Sequence, residues 1–154
     1  MTRRIGLISD THGLLRPEAL AAIAGCEWIL HAGDIGRPEI LEGLRAVAPV
    51  VAVRGNVDRG AWAERLPEYE TVWFEGLGIR LLHNLAEWPP EFAPGVAAVV
   101  SGHSHQPKLM ERNGMLYINP GSAGPRRFRL PVTVGWLELE EGGFRGGIVD
   151  LAVA

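Results

Sequence analysis

Two histidines stand one residue apart in the stretch SGHSHQP, residues 101–107, directly after an apolar run that ends at Val100. The chain has only five histidines, so two in one glycine turn are unusual. Imidazole is a common metal ligand, and residues i and i+2 of an extended segment point the same way. His103 and His105 are therefore candidates for neighbouring metal ligands, with an ordinary polar turn as the alternative.

Other apolar runs end in the same manner, on residues of types that bind metals. These are Asp10 and His12, then Asp34, then Asn56, then His83. The loops at the carboxyl ends of parallel strands gather at one edge of a sheet, so all of these side chains are expected to face one crevice. Each motif alone is also compatible with an ordinary structural role, as a turn, a helix cap or a core histidine. Their joint occurrence at five strand ends favours a metal site.

The complete set is Asp10, His12, Asp34, Asn56, His83, His103 and His105. One ion needs three or four protein ligands, so seven groups suit two ions that share a carboxylate. Mixed carboxylate, imidazole and amide donors suit Mn²⁺, Ni²⁺, Fe²⁺ or Zn²⁺, and Mn²⁺ is the first expectation. Two such ions about 3.5–4 Å apart can hold a bridging hydroxide and the oxygens of a phosphate under attack.

The elements that must position these residues alternate in the first half of the chain. Strands are predicted at Ile5–Ile8, Trp28–His31 and Val50–Val53, with helices at Pro17–Ala24 and Pro38–Val47 between them. This order implies right-handed crossovers and a parallel sheet. The second half predicts mostly strands, at 69–74, 79–83, 96–100, 108–112, 115–118, 132–138 and 144–151, with a hairpin turn at Asn113-Gly114.

The composition is that of one globular domain. The chain has 154 residues, 47% of them hydrophobic, and a formal net charge of −3. That charge makes extended nucleic-acid binding unlikely, and the apolar run near the N-terminus is too short for a membrane span. The single cysteine, Cys26, permits no internal disulfide. We expect a cytoplasmic protein without membrane contact, and the sequence is compatible with a homo-oligomer.

The ordered motifs Asp10-Thr11-His12, Gly33-Asp34, Gly55-Asn56, His83 and Gly102-His103-Ser104-His105 resemble those of the calcineurin-like metallophosphoesterases. The later Asn119-Pro120-Gly121-Ser122 and Pro125-Arg126 are similar to the small YfcE-type phosphodiesterase branch, which is related to a retromer subunit. The resemblance implies an α/β fold, a β-sandwich of two mixed sheets flanked by helices, as a single metallophosphoesterase domain over residues 1–154.

The resemblance also implies roles for the seven residues. Asp10, His12 and His105 would hold one ion, Asp34 would bridge, and the others would hold the second ion. Asp34, Asn56 and His103 would serve catalysis with a metal-bound hydroxide that attacks a small phosphate ester in line. The alternative is a non-catalytic metal-binding scaffold of the same fold, which the complete ligand set disfavours.

One position departs from the larger members of the superfamily, which carry a histidine where Val57 stands. Valine cannot transfer a proton, so the substrate would need a good leaving group or a proton from water or another residue. The short branch often lacks this histidine too, so the departure favours membership of that branch.

Several further residues have two readings each. Asp58 could cap a helix, the favoured reading, or accept from a ligand histidine. Asn119 and Ser122 could donate hydrogen bonds near the metals or form an ordinary turn. Arg126, with Arg127 and Arg129, could neutralise a substrate phosphate or be solvated.

Three further side chains could lie near the site. His31 is expected in the core or behind the ligands. Trp62 and Trp88 could form walls of a substrate pocket.

Overall fold

Ten strands and three helices make up the part of the chain that the computed structural model describes, residues 3–87 and 94–153. The helices are α1 (Pro17–Ile23), α2 (Pro38–Arg45) and α3 (Ala61–Glu64), and a 3₁₀ turn covers Leu85–Glu87. The strands are β1 (Arg4–Ile8), β2 (Trp28–His31), β3 (Val50–Ala52), β4 (Tyr69–Phe74), β5 (Leu77–Leu82), β6 (Val96–Val100), β7 (Lys108–Arg112), β8 (Met115–Asn119), β9 (Thr133–Glu140) and β10 (Gly143–Asp150).

The strands form two five-stranded mixed sheets, which confirms the predicted architecture. One sheet, here called sheet A, has the order β10-β9-β1-β2-β3, and the other, sheet B, has the order β4-β5-β6-β8-β7. In sheet A, β1, β2 and β3 run parallel. In sheet B, β5, β6 and β8 run parallel. Each sheet therefore contributes three parallel strands, and the loops that follow them carry the candidate site.

Two layers of apolar side chains hold the sheets and helices together. Leu7, Leu30, Leu81, Val100 and Ile118 belong to one buried cluster between the sheets. A second cluster lies between sheet A and the helices and includes Ile23, Ile29 and Leu44. Burial of apolar area is the dominant favourable term in folding, and here it fixes both faces of sheet A.

Local sequence explains where the elements begin and turn. Pro17 and Pro38 each occupy the first turn of a helix, where the missing N–H is not needed. The hairpin of β7 and β8 closes through Asn113-Gly114, both with positive φ, as a type I′ turn requires. The helix expected after Asp58 is α3, a single turn that begins at Ala61. None of the helices in the described residues is long and apolar enough to cross a membrane.

Candidate metal centre

Loops from both sheets meet at one end of the sandwich. The loops after β1, β2 and β3 carry Asp10, His12, Asp34 and Asn56, and the loops after β5 and β6 carry the three remaining histidines. Backbone hydrogen bonds join the loops: Asp10 N–H donates to Gly33 O, and Gly102 N–H donates to His83 O, at 3.0 and 2.9 Å. The position of each candidate ligand is therefore set by backbone structure.

Asp10, His12 and His105 form one group whose potential ligand atoms all lie within 4.8 Å of one another. Asp10 Oδ1 lies 3.4 Å from His105 Nε2 and 3.9 Å from His12 Nε2. The other carboxylate oxygen of Asp10 accepts hydrogen bonds from the Ser9 hydroxyl and from the His103 N–H. This arrangement fixes the carboxylate and turns Oδ1 toward the imidazoles.

Asp34, His83 and His103 form a second group of the same kind. His83 Nδ1–H donates to the carbonyl of Ala32 at 2.7 Å, so in the neutral ring the lone pair of His83 is on Nε2. That Nε2 lies 3.2 Å from Asp34 Oδ2 and 3.3 Å from His103 Nδ1. A carbonyl behind a ligand histidine fixes its tautomer in this way in many metal sites.

Asp34 lies between the two groups. Its Oδ2 is 3.2 Å from His83 Nε2 in one group and 3.6 Å from His12 Nε2 in the other. Its Oδ1 accepts a hydrogen bond from the Val57 N–H at 3.0 Å, which holds the carboxylate in this orientation. The geometry is that of a carboxylate shared by two sites.

The donor atoms fit metal ions in their present arrangement. Asp10 Oδ1 and His105 Nδ1 are buried and have no hydrogen-bond partner among the described residues. His12 Nε2 and His105 Nε2 approach to 3.3 Å. Buried polar atoms normally find partners, and a cation between these groups would supply one for Asp10 and for the facing nitrogens.

The pKa values of the four most buried ligand candidates are shifted in different directions. Burial raises the pKa of Asp10, against the opposing attraction of His83. Burial also acts to raise the pKa of Asp34, but hydrogen bonds from His83 and the Val57 amide outweigh it and lower the pKa. Burial lowers the pKa of His105. Burial opposes the charged form of His83 as well, but Asp34 and Asp10 raise its pKa.

Five of the candidate ligands adopt left-handed backbone conformations, which sequence reasoning missed. The φ angles are 54° for Asp10, 45° for His12, 56° for Asp34, 74° for His103 and 64° for His105. Such a conformation is unfavourable for residues other than glycine, and it is tolerated where surrounding structure enforces it, often at functional sites. It turns these side chains out of the strand direction and into the crevice.

Two glycines permit the close approach of the loops. A Cβ on Gly55 would overlap the backbone and carboxylate of Asp34, and a Cβ on Gly102 would overlap Ser9 and the Asp10 carboxylate. The glycine before Asn56 and the glycine before His103 are therefore required for packing of the neighbouring ligand loop.

Asn56 lies exposed beside the second group. It lines a cleft of about 460 Å³ together with His83, Asp58 and Arg54. The predicted role of Asn56 as a ligand stays a prediction.

Asp58 does not cap a helix, so that favoured reading is wrong. Helix α3 begins at Ala61 with Gly60 as its N-cap. The two oxygens of Asp58 accept hydrogen bonds from the Gly36 and Gly55 amides at 2.9 and 2.8 Å. Asp58 also accepts no hydrogen bond from a ligand histidine; it joins the loop after β2 to the loop after β3.

Asn119 and Ser122 brace ligand loops through the backbone. Asn119 Nδ2–H donates to the carbonyl of Gly102 and to the hydroxyl of Ser104, both in the loop of the paired histidines. The Ser122 hydroxyl donates to the carbonyl of Asp10 at 3.0 Å. The end of β8 and the loop after it thus support one candidate ligand loop from each sheet.

The arginine predicted to face a substrate phosphate, Arg126, is hydrogen bonded to the backbone near the C-terminus. The Arg126 guanidinium donates to the carbonyl of Val153 at 2.8 Å, and a substrate role for it stays a prediction. Burial and, to a smaller extent, the charge of Arg127 lower the pKa of His105. Between Arg127 and Arg129 stands Phe128, whose side chain is 87% exposed.

His31 is fully buried behind the ligand loops. The Gly33 N–H donates to His31 Nδ1 at 3.0 Å, so the ring hydrogen is on Nε2 and is donated to the Thr11 hydroxyl at 3.0 Å. Thr11 in turn donates to the carbonyl of Ile35. Burial, aided by repulsion from His83, lowers the pKa of His31 to about 3. A neutral histidine thus links the Asp10–His12 loop to the Asp34 loop.

The two tryptophans proposed as pocket walls have different outcomes. Trp62 packs against the apolar cluster between sheet A and the helices, so its ring is used there. Trp88 lies outside the described residues.

Comparison with known proteins identifies relatives across most of the chain. A family model described as the calcineurin-like phosphoesterase superfamily domain matches residues 4–142. A probable metallophosphoesterase of Methanothermobacter thermautotrophicus is 38% identical in a match that covers 77% of this chain and 76% of that protein. The phosphodiesterase YfcE of Escherichia coli K12 is 30% identical in a match that covers 84% of each chain.

Solved structures have the same fold. The Escherichia coli phosphoesterase Yfce superimposes with a TM-score of 0.69 and 28% identity over 87% of each chain. Vacuolar Protein Sorting 29 from Cryptosporidium parvum gives a TM-score of 0.74 with 21% identity over 97% of each chain, a likeness of fold alone.

Proposed function

Because this chain belongs to the calcineurin-like phosphoesterase superfamily, a family of phosphoester hydrolases, we propose that it is a phosphodiesterase that depends on two divalent metal ions. The observation that carries the proposal is the position of Asp34 Oδ2 between two groups of carboxylate and imidazole donors. The 30% identity to phosphodiesterase YfcE supports a diester as the substrate. The whole chain, residues 1–154, would act as one metallophosphoesterase domain.

Each ion would be held by residues of both sheets. Asp10, His12 and His105 would hold the first ion, and Asn56, His83 and His103 the second, with Asp34 shared between them. Imidazole together with carboxylate suits Mn²⁺, Ni²⁺, Fe²⁺ or Zn²⁺, and we propose Mn²⁺ first. When bound, such ions supply Lewis acidity at the phosphate and lower the pKa of water, which makes it a nucleophile near neutral pH.

The chain's own residues orient this chemistry. Asp34 keeps its charge because its pKa is lowered, and the Val57 N–H fixes its direction. His83 presents Nε2 because its Nδ1–H is bound to Ala32 O. Hydrolysis adds water across one P–O ester bond and yields a phosphomonoester and an alcohol. The side chain of Val57 holds no proton for that alcohol, so a substrate with a good leaving group is favoured.

The test is hydrolysis of bis(4-nitrophenyl) phosphate by protein treated with EDTA, with and without added Mn²⁺ or Ni²⁺. Metal should restore turnover in the wild type, and Asp34→Asn should lower the metal-dependent kcat/KM by about 10²-fold or more, since even residues behind metal ligands are worth 10–100-fold. Asp150→Asn is the matched control, because Asp150 is exposed and outside both groups. Metal analysis of the wild type should find two ions per chain.

The second candidate function is a non-catalytic scaffold. The reason for including it is the fold that this chain shares with Vacuolar Protein Sorting 29. Such a scaffold would bind metal tightly without turnover of any phosphodiester. Equal, metal-independent rates for wild type and Asp34→Asn would support the scaffold and overturn the enzyme.

A further inference from the structure

A groove of about 640 Å³ leads away from the second donor group along sheet B. His103 and Ser104 line it at the centre, and the side chains along it are Lys108, Met110, Arg112, Tyr117 and Asn119. Asn119 is hydrogen bonded to the loop of the paired histidines, so the groove is continuous with the candidate metal centre. Its volume is in the range of sites that enclose small ligands.

The register of β7 and β8 orders the groove residues. Lys108 pairs with Asn119, Met110 with Tyr117, and Arg112 with Met115. Alternate residues of a strand face the same side, and Leu116 and Ile118 of β8 face the core between the sheets. From the metal centre outward, the groove therefore presents an amide and a lysine, then a tyrosine and a methionine, then an arginine.

The charge of the groove is positive although the protein is acidic. No aspartate or glutamate is among the described residues that line it. In residues 3–87 and 94–153, neither Lys108 nor Arg112 takes part in an ion pair. These two cations are four positions apart on one strand, which places their Cα atoms roughly 13 Å apart. Both side chains are exposed and available to an anion in the groove.

The cleft on the other side of the centre differs. Its charged lining residues are the carboxylates Asp58, Glu68 and Glu87 and the cations Arg54 and Arg59. Arg54 is paired with Glu68 at 3.1 Å. Asn84 lines both clefts, so they adjoin at the metal centre. A phosphodiester has two ester groups. The three carboxylates of this cleft oppose a further negative charge, so an ester group that carries one is favoured in the groove along β7 and β8.

Resting on the phosphodiesterase function proposed above, we propose that this groove binds one ester group of the substrate and that this group is a nucleotide. Its base would lie on Tyr117 and Met110, because bases stack on aromatic side chains. Its own phosphate would lie beyond the base and be held by Arg112, while Lys108 would face the phosphodiester nearer the metal centre, both through charge-assisted hydrogen bonds. The substrate class is thus a short phosphodiester that carries a further phosphate, not an extended nucleic acid.

The first experiment compares two dinucleotides in the presence of Mn²⁺: pTpT, with a terminal 5′-phosphate, and TpT, without one. The readout is the ratio of their kcat/KM values, which does not depend on the fraction of active protein. The wild type should prefer pTpT by about tenfold, the effect of one charge-assisted hydrogen bond. Arg112→Gln should bring the ratio close to one, and Arg45→Gln, an exposed arginine outside both clefts, should keep it.

The outcomes separate the two proposals. Hydrolysis of bis(4-nitrophenyl) phosphate with no preference for pTpT, or with a preference that survives Arg112→Gln, overturns the groove proposal and leaves the phosphodiesterase standing. Absence of metal-dependent turnover of all three compounds overturns the phosphodiesterase, and the groove proposal with it.

The second experiment does not use activity. Metal-free, ¹⁵N-labelled protein is titrated with thymidine 3′,5′-bisphosphate and followed by NMR. We expect amide shifts in Lys108–Arg112 and Met115–Asn119, and an apparent Kd about tenfold weaker in Arg112→Gln than in Arg45→Gln. Shifts restricted to other strands, or none at millimolar ligand, would contradict the groove proposal.

Discussion

Asp34 shows how single residues at this centre serve two purposes. One oxygen is fixed by a backbone amide, and the other is directed at histidines from both donor groups. Its motif, Gly-Asp, is among the weakest signals in the sequence, because such pairs are common in turns. Asp34 became a candidate ligand only because residues that bind metals also follow the other predicted strands.

At the same scale, His31 predicts a pH dependence of stability in the metal-free protein. Its pKa is about 3 in the folded state and 6.5 as an unperturbed histidine, so the unfolded chain takes up the proton first as pH falls. The stabilisation is therefore present above pH 6.5 and is lost toward pH 3. From this residue alone, the free energy of unfolding should be about 2 kcal/mol lower at pH 5 than at pH 7.5.

The measurement is urea unfolding in EDTA at both pH values for wild type and His31→Gln. The difference between the two proteins separates His31 from the other histidines. The contribution of His31 to the pH dependence of the free energy of unfolding should be missing in the variant. Parallel pH profiles would show that His31 is not the titrating group.

Val57 predicts a change in leaving-group preference. Its side chain is 42% exposed beside Asp34, and only its N–H is used in the structure. Val57→His adds a proton donor, so turnover of TpT, which has a poor leaving group, should rise by about tenfold, below the 10²–10⁴ of an optimised general acid. Turnover of the 4-nitrophenyl ester should hardly change. Val57→Asn is polar but not an acid, and an equal gain in that variant would argue against proton transfer.

At the scale of elements, the strands could be read from sequence and the loops could not. The apolar runs and the Asn113-Gly114 turn predict strands because burial and turn geometry act locally. The left-handed backbone of five candidate ligands depends on contacts between loops that are distant in sequence. The same reason explains Asp58, whose partners Gly36 and Gly55 belong to two other turns, and Arg127, whose effect on His105 crosses from the loop after β8.

His103 allows that backbone strain to be measured. It is exposed and has a φ of 74°, so its replacement loses little packing. In the metal-free protein, His103→Gly should be more stable than His103→Ala by about 1 kcal/mol, because alanine at positive φ is unfavourable. Urea unfolding in EDTA measures the difference. Equal stabilities would mean that the loop relaxes when the side chain is removed.

At the scale of the molecule, metal binding should stabilise the fold, because the unfolded chain has no preformed site. At a metal concentration of 100 Kd, one ion adds about 2.7 kcal/mol to the free energy of unfolding. For a chain of this size, that corresponds to a rise in Tm of roughly 5–10 °C. Scanning calorimetry with EDTA and with Mn²⁺ tests it. Asp34→Asn should lose most of the rise, and Asp150→Asn should keep it; a rise of the same size in both would place the metal elsewhere.

The overall architecture was predictable from sequence because the motif order matches one family over most of the chain, and the family fixes the sandwich. The predicted cytoplasmic location and the possible homo-oligomer stay predictions.

Each donor group takes members from both sheets: Asp10 and His12 of sheet A stand with His105 of sheet B, and Asp34 of sheet A stands with His83 and His103 of sheet B. An ion in either group would therefore cross-link the two sheets at this end of the sandwich. Its affinity would depend on how well the two sheets are aligned, and a change that separates them by a fraction of an ångström would first lower the affinity for metal.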